Sequence, residues 1–325
     1  MTGEAKASPT ASSSPTAGDE HVLDETDDGT TLAAALRRRL PGRSWNDVRT
    51  LARTGKVRVN GVVALDPAAR VGAGARVALT MNAPRPRADV QGFRVAFEDG
   101  HLIIIEKPQG VTSVPFERKD TGTALDLIRA HWRRGGRRAT ATPLYTVHRL
   151  DKDTSGLLCF AKTRLAERAL HEVFQRHTAR REYVAVAHGH VVSQRIESSI
   201  VADRGDGIRG RARRPGEGQH AVTHVTALRN LPDATLIRVR LETGRTHQIR
   251  VHLSEAGHPL VGETVYIRDY LRDGGEPLPS PRLMLHAATL GLPHPVTGEA
   301  IDLAASPPAD FIEVLEALGG SRDDV

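Results

Sequence analysis

A polar turn held between two apolar runs constrains this chain more than any other feature. Residues 144–147 lead in and residues 156–161 lead out, with His148-Arg149-Leu150-Asp151-Lys152-Asp153-Thr154-Ser155 between them. Short apolar runs bounded by turn residues predict strand, turn, strand. The turn carries Asp151 directly after His-Arg-Leu, and a carboxylate fixed beside an arginine is what a nucleophilic or general-base aspartate requires.

Around this turn helical and strand patterns mix without regular alternation, which predicts an α+β fold with a largely antiparallel mixed sheet. Residues 101–105 read as a buried strand ending at Lys107-Pro108. Thr123 opens a capping-box helix carrying Leu125, Ile128 and Trp132, and Leu165, Ala169, Val173 and Phe174 mark a second amphipathic helix. Ile237, Val239 and Leu241 alternate with charged residues, as in a half-buried strand.

The N-terminal part is organised separately. Residues 1–28 contain too few apolar side chains to offset ordering entropy and are expected to form a disordered tail. Residues 29–82 predict a small α+β domain, with Leu32, Leu36 and Leu40 on one helical face. Val48 and Leu51 lie on another, between a Ser44 N-cap and Gly55. Lys56-Val57-Arg58-Val59 runs into Asn60-Gly61, a strong hairpin signal, and residues 71–79 predict one further strand. The proline-bearing residues 83–90 read as a semi-rigid linker, residues 91–318 as the main domain, and 319–325 as a C-terminal tail.

Lysine and arginine outnumber aspartate and glutamate 45 to 39, which favours a polyanionic partner such as nucleic acid. The charge concentrates in Arg37-Arg38-Arg39, Arg133-Arg134, Arg137-Arg138, Arg180-Arg181 and residues 209–214, although each cluster alone reads as a solvated face. The Gly- and Arg-rich segment 203–218 reads either as an RNA-contacting loop or as a mobile surface loop. The single cysteine, Cys159, excludes an internal disulfide and a zinc site on paired cysteines, and is expected to be a small buried hydrophobe.

No signal peptide is visible, and no apolar run approaches the ~20 residues that cross a bilayer, so a soluble, cytoplasmic protein with no membrane partner is expected. Neither a dinucleotide fingerprint nor a P-loop occurs. His171 and His177, six apart on a helix, point about 240° from one another and cannot share a metal. Ser155 lacks a nucleophile-elbow setting. No metal and no cofactor are expected, and a monomer is.

The segment His148 to Gly156 closely resembles the His-Arg-Leu-Asp-x-x-Thr-Ser-Gly signature of the RluA-type RNA pseudouridine synthases, and the likeness spans most of residues 95–312. Residues 243–250, Thr-Gly-Arg-Thr-His-Gln-Ile-Arg, resemble the family's Gly-Arg-x-His-Gln-Ile/Leu-Arg motif. Thr246 is expected to cap a helix there ending near Gly257, with His247 and Arg250 facing one way. The resemblance implies an isomerase that breaks the glycosidic nitrogen–carbon bond of uridine and rejoins the base through carbon 5, with no second substrate. It implies Asp151 as nucleophile, Arg250 as its ion-pair partner, and Tyr183, in Arg181-Glu182-Tyr183, stacking on the base. Arg149 is implied to assist base flipping, and His148, Arg245 and His247 to line the substrate site. Residues 30–80 resemble an alpha-L type RNA-binding module, implying RNA contacts from Arg43, Arg49, Arg53 and Lys56. Ribosomal RNA of the large subunit is the expected target. Transfer RNA and a non-catalytic RNA-binding or ribosome-assembly role are the alternatives.

Overall fold

The computed structural model describes residues 20–64, 66–81, 83, 93–115, 120–136 and 142–325. The chain divides into two compact units, Met1–Pro86 and Arg87–Val325. Residues 1–19 of the expected tail, 84–90 of the expected linker and the Arg137-Arg138 pair lie outside the described residues.

In the first unit, strand β1 (Glu20–Val22) and β2 (Thr30–Thr31) precede helices α1 (Leu32–Arg39) and α2 (Trp45–Arg53). Strands β3 (Val57–Val59), β4 (Val62–Val63), β5 (Arg70–Val71) and β6 (Arg76–Leu79) follow. Ser44 caps α2 in a reciprocal capping box with Asp47, as its spacing predicts. Asn60 and Gly61 both take positive φ between β3 and β4, the backbone that a two-residue hairpin requires.

Two expectations change here. Residues 71–79 are not one strand: β5 pairs with β2 and β6 with β1 and β3, because the turn around Gly74 (φ +79°) reverses the chain between them. Residues 20–28 are not tail but part of the domain. Leu23 is buried, and the fully buried Asp27 carboxylate takes ion pairs from Arg38 and Arg39. Two arginines that read as a solvated face thus neutralise a buried acid.

The second unit contains strands β7 (Arg94–Glu98), β8 (Leu102–Lys107), β9 (Tyr145–Thr146), β10 (Ser155–Ala161), β11 (Arg180–His188) and β12 (Gln194–Val201). These continue with β13 (Gly210–Arg211), β14 (Gln219–Asn230), β15 (Ala234–Leu241), β16 (Leu285–Pro293) and β17 (Ala300–Ala304). Its helices are α3 (Ala124–Arg134), α4 (Arg164–Gln175), α5 (Gln248–Glu255), α6 (Arg268–Arg272) and α7 (Ala309–Ala317). The strands form one mixed sheet in the order β13-β12-β14-β15-β11-β16-β10-β8-β7, with β17 on β16 and β9 on β10. Among the described residues only the β10–β16 pair is parallel, so the sheet is largely antiparallel.

Helices cover both faces, and residues along one strand divide between two cores. Leu158 and Phe160 pack with Ile128 and Trp132 of α3, while Leu157 and Cys159 pack with Leu170 and Phe174 of α4. On α4 the inward row is Ala166, Leu170 and Phe174, and Leu165 is exposed. The buried stripe follows i, i+4, i+8 from Ala166, one position later than the apolar residues alone suggest. The C-terminal residues also differ from expectation, since a 3-10 turn at Arg322–Asp324 forms and Asp324 accepts two hydrogen bonds from Arg229 at 2.7 Å.

Candidate active site

Asp151 lies where β9 hands over to β10, and the turn is clamped on both sides. Ser113 Oγ donates to the Leu150 carbonyl at 2.7 Å and accepts the Leu150 N–H at 3.0 Å. On the other side Lys107, only 1% exposed, donates to the carbonyl of Lys152 at 3.0 Å and to those of Val111 and Pro108. Three carbonyl acceptors match the three protons of an ammonium. Burial pushes the Lys107 amine down to about 7, opposed by the Asp153 and Asp151 carboxylates. Ser155, the first residue of β10, is buried and bonded to His286 Nδ1 at 2.9 Å and Arg282 at 2.7 Å. Next, Gly156 (φ +113°) lies so close to β16 that a Cβ would sit 2.2 Å from the Ala287 carbonyl oxygen.

The second motif supplies a cation, Arg250, and an imidazole, His247. Thr246 does not cap α5; the N-cap is His247, in a left-handed conformation at φ +59° without a side-chain cap. Gln248 holds this turn instead. Its Oε1 accepts from Thr243 Oγ1 at 2.7 Å and from the Arg245 N–H at 3.0 Å, and its Nε2 donates to Val222 and Thr223 of β14. A left-handed histidine costs on the order of 1 kcal/mol, and such strain gathers at functional sites. It turns His247 towards Asp151, with Nε2 3.9 Å from Oδ1.

Arg250 NH1 stands 3.9 Å from Asp151 Oδ2. Its principal partner, however, is Glu263, which receives Nε and NH2 at 2.7 Å each and whose side chain is 0% exposed. The expected Asp151–Arg250 ion pair is thus present but long, because Arg250 is anchored by one carboxylate and offered to another. Glu263 Oε1 also accepts the backbone N–H groups of Thr264, Val265 and Tyr266. This holds its carboxyl below the ordinary value, because Arg250 and these N–H groups outweigh the opposing effect of burial. The loop then places Tyr266, whose hydroxyl is 2.6 Å from His247 Nδ1. Burial raises the Tyr266 hydroxyl and lowers the His247 ring. The other ring nitrogen, Nε2, is the one that faces Asp151. Gly262 (φ +78°) makes this loop possible: a Cβ there would fall 1.8 Å from the Arg282 carbonyl oxygen.

The other expected site residues divide. Tyr183, on β11, is 7% exposed and packs in the same core cluster as Leu150 and Ile249, close enough that the Asp151 charge acts on its hydroxyl. Arg149 is exposed and has no hydrogen-bond or ion-pair partner among the described residues. Arg245 Nε donates to the His220 carbonyl at 2.9 Å, tying it to β14. His148 is engaged within the fold. Its ring stacks on Phe174 at 4.4 Å, its Nε2 accepts the Cys159 N–H at 3.0 Å, and burial pushes it down to about 3. In the first unit Arg49 lies over the exposed Trp45 ring at 5.7 Å, Arg53 is exposed, and the Lys56 amine donates to the Ala83 carbonyl.

Sequence reasoning missed Glu263, Tyr266, Lys107 and Ser113. Two of these carried a signal: Lys107 ends a buried apolar run, and Glu263 is a lone acid after the apolar-rich residues 258–262.

Comparison with known proteins identifies the family. Residues 101–255 match the RNA pseudouridylate synthase family and residues 31–77 match the S4 domain. An uncharacterized RNA pseudouridine synthase, YhcT, of Bacillus subtilis is 42% identical over 221 residues, covering 67% of this chain and 69% of that protein. The ribosomal large subunit pseudouridine synthase D of Pasteurella multocida is 34% identical over 307 residues, covering 89% and 91%. The enzyme of that name from Escherichia coli K12 is 34% identical over the same shares. A solved structure of human RNA pseudouridylate synthase domain containing 4 shares the fold, with a TM-score of 0.55 and 24% identity over 69% of this chain and 92% of that one. With a relative matched over nine-tenths of its length and an S4 domain ahead of the catalytic unit, the chain belongs to the RNA pseudouridine synthase family.

Proposed function

We propose that this RNA pseudouridine synthase acts on uridines of large-subunit ribosomal RNA and that Asp151 is its attacking carboxylate. The observation that carries the reading is the Asp151 setting. Each oxygen stands 3.9 Å from a side-chain nitrogen, His247 Nε2 on one side and Arg250 NH1 on the other. At that distance the neighbours supply field and orientation without occupying the carboxylate lone pairs. The side chain is 22% exposed, so a uridine extracted from its stack can reach it.

The isomerisation breaks the N1–C1′ bond and forms C5–C1′, while the proton on C5 is released and N1 gains one. Asp151 adding to the ring, attacking C1′, or removing a sugar proton on the way to a glycal each uses this same carboxylate. Tyr183 offers a ring for the base to stack on, and the unpartnered Arg149 is free to occupy the gap left by the flipped nucleotide. The ribosomal target is supported by the names of the relatives matched over most of their length. The S4 domain, with Arg49, Arg53 and Lys56, is assigned to general RNA affinity.

A pseudouridine map of ribosomal and transfer RNA tests this, using cells that lack the gene and cells complemented with wild type or Asp151→Ala. A large-subunit uridine modified under wild type alone is expected. Modification restored by Asp151→Ala would remove Asp151 from the chemistry, and a site found only in transfer RNA would move the substrate.

A further inference from the structure

The Gly- and Arg-rich segment is neither a free loop nor solvated filler. It forms the β12–β13 hairpin, with Ile200 paired to Arg211 and Val201 to Gly210. Its tip is built by Asp203, which accepts the Gly205 and Gly207 N–H groups at 2.7 and 2.9 Å. The tip is pinned to α6: Arg204 bridges Asp206 and Asp269 at 3.1 and 2.9 Å, and Arg268 also reaches Asp206. Its return strand is pinned to α5, where Glu255 accepts the Arg211 N–H at 2.6 Å. That is the helix whose first turn presents His247 and Arg250 to Asp151.

Within this anchored hairpin the acids are all occupied, whereas three guanidinium groups are not. Among the described residues Arg209, Arg211 and Arg213 have no side-chain hydrogen bond or ion pair, and Arg209 is half-buried. Arg211 lies towards the C-terminal end of α5, where its charge acts on His252 and Glu255. Arg209 precedes Gly210, the residue paired with Val201 in the same anchored hairpin. Its charge acts on the His247 ring and the Tyr266 hydroxyl, behind burial, Asp151, Arg250 and Glu263. A guanidinium without a carboxylate keeps its full hydrogen-bonding capacity for an anionic ligand. On the reading that Asp151 works on a uridine in RNA, the anions reaching this rim are the phosphodiesters flanking that uridine.

We propose that the β12–β13 hairpin is a second RNA-binding element, in which Arg209 takes a backbone phosphate beside the target uridine and Arg211 a neighbouring one. The hairpin contributes position and affinity but no base readout, as phosphate contacts do.

The test measures binding of unmodified large-subunit ribosomal RNA transcript to full-length protein in the Asp151→Asn background, so that turnover does not intervene, over a series of salt concentrations. Arg209→Ala is expected to weaken binding about tenfold at low salt and to make the slope of log affinity against log salt shallower by about one unit. Arg209→Lys should restore the slope, and thermal melts should place all variants within about 2 °C of their parent, as expected for a surface change. An unchanged affinity and slope overturns the proposal. A weakened affinity with unchanged slope also overturns it, because the hairpin would then act through shape and not charge. Wild-type turnover on the same transcript is measured in parallel. Its absence sinks the ribosomal-RNA reading, whereas turnover with an unaffected Arg209→Ala sinks only the hairpin.

Discussion

The Asp151 turn and the Glu263 loop both bring a carboxylate to Arg250, and the two are treated oppositely. Glu263 is fully buried, takes two hydrogen bonds at 2.7 Å and accepts three backbone N–H groups. Asp151 is part-exposed and stands 3.9 Å from the same guanidinium. A buried ion pair adds little net stability over an apolar replacement, so the Glu263 pair is better explained by what it positions. One carboxylate immobilises the cation, so the other can use its field without being locked by it.

The largest effect should come from breaking the chemical side. Asp151→Asn is expected to lower turnover by at least ~10³-fold, about 4 kcal/mol of barrier. Its melting temperature should stay near that of wild type. Tritium release from RNA labelled at uridine carbon 5, alongside a thermal melt, checks both, and near-normal release would dismiss Asp151 as the attacking group. On the structural side, Glu263→Leu leaves Arg250 buried without its anchor and should cost about 3–5 kcal/mol in urea unfolding. The double variant Arg250→Met/Glu263→Leu should recover most of that stability and no activity. An active double variant would erase the distinction between the two carboxylates.

The loop backbone offers a finer cut. Gly262→Ala combines left-handed strain with a collision against the Arg282 carbonyl, whereas Gly298 (φ +77°) has open space around it. Gly298→Ala should cost on the order of 1 kcal/mol, and Gly262→Ala at least ~1–2 kcal/mol more, with lost turnover. Equal costs would mean that the close approach does not constrain the Glu263 loop.

The smallest effect concerns acid. Burial holds His148 down to about 3, and His252 and His286 down to about 4, against an ordinary 6.5. Below 6.5 the unfolded chain therefore binds protons that the folded one refuses, so stability falls as pH drops from 6.5 towards 4. His148→Gln should flatten that decline by about one proton's worth of slope, as unfolding measured across the window would reveal. An unchanged slope would show His148 protonating freely in the folded state.

Local features of this protein were legible where short-range chemistry decides them. The Ser44 and Thr123 capping boxes, the Asn60-Gly61 hairpin and the strand–turn–strand around Asp151 all form as their spacing predicts. Legibility failed where a distant group sets the outcome. Thr246 resembles a cap, but Gln248 reaches β14 and holds the turn in a shape that needs none. His148 sits inside the most informative motif yet points to Phe174, because α4 covers that face of the sheet. Residues 20–28 look too polar to fold until Arg38 and Arg39 neutralise Asp27.

The sequence by itself determined the capping boxes, the Asn60-Gly61 hairpin, the turn that carries Asp151 and the motif that brings a cation to it, since these rest on contiguous residues. Only the tertiary structure decided how Asp151 is held. Ser113 and Lys107 clamp its turn, Gly156 and Gly262 permit the close approaches beside it, and Glu263 fixes the arginine and the loop that orients His247. These groups lie up to 112 positions from Asp151 (263 minus 151). Nothing in their local spacing relates them; the sheet order that places β8, β10 and β16 side by side brings them together.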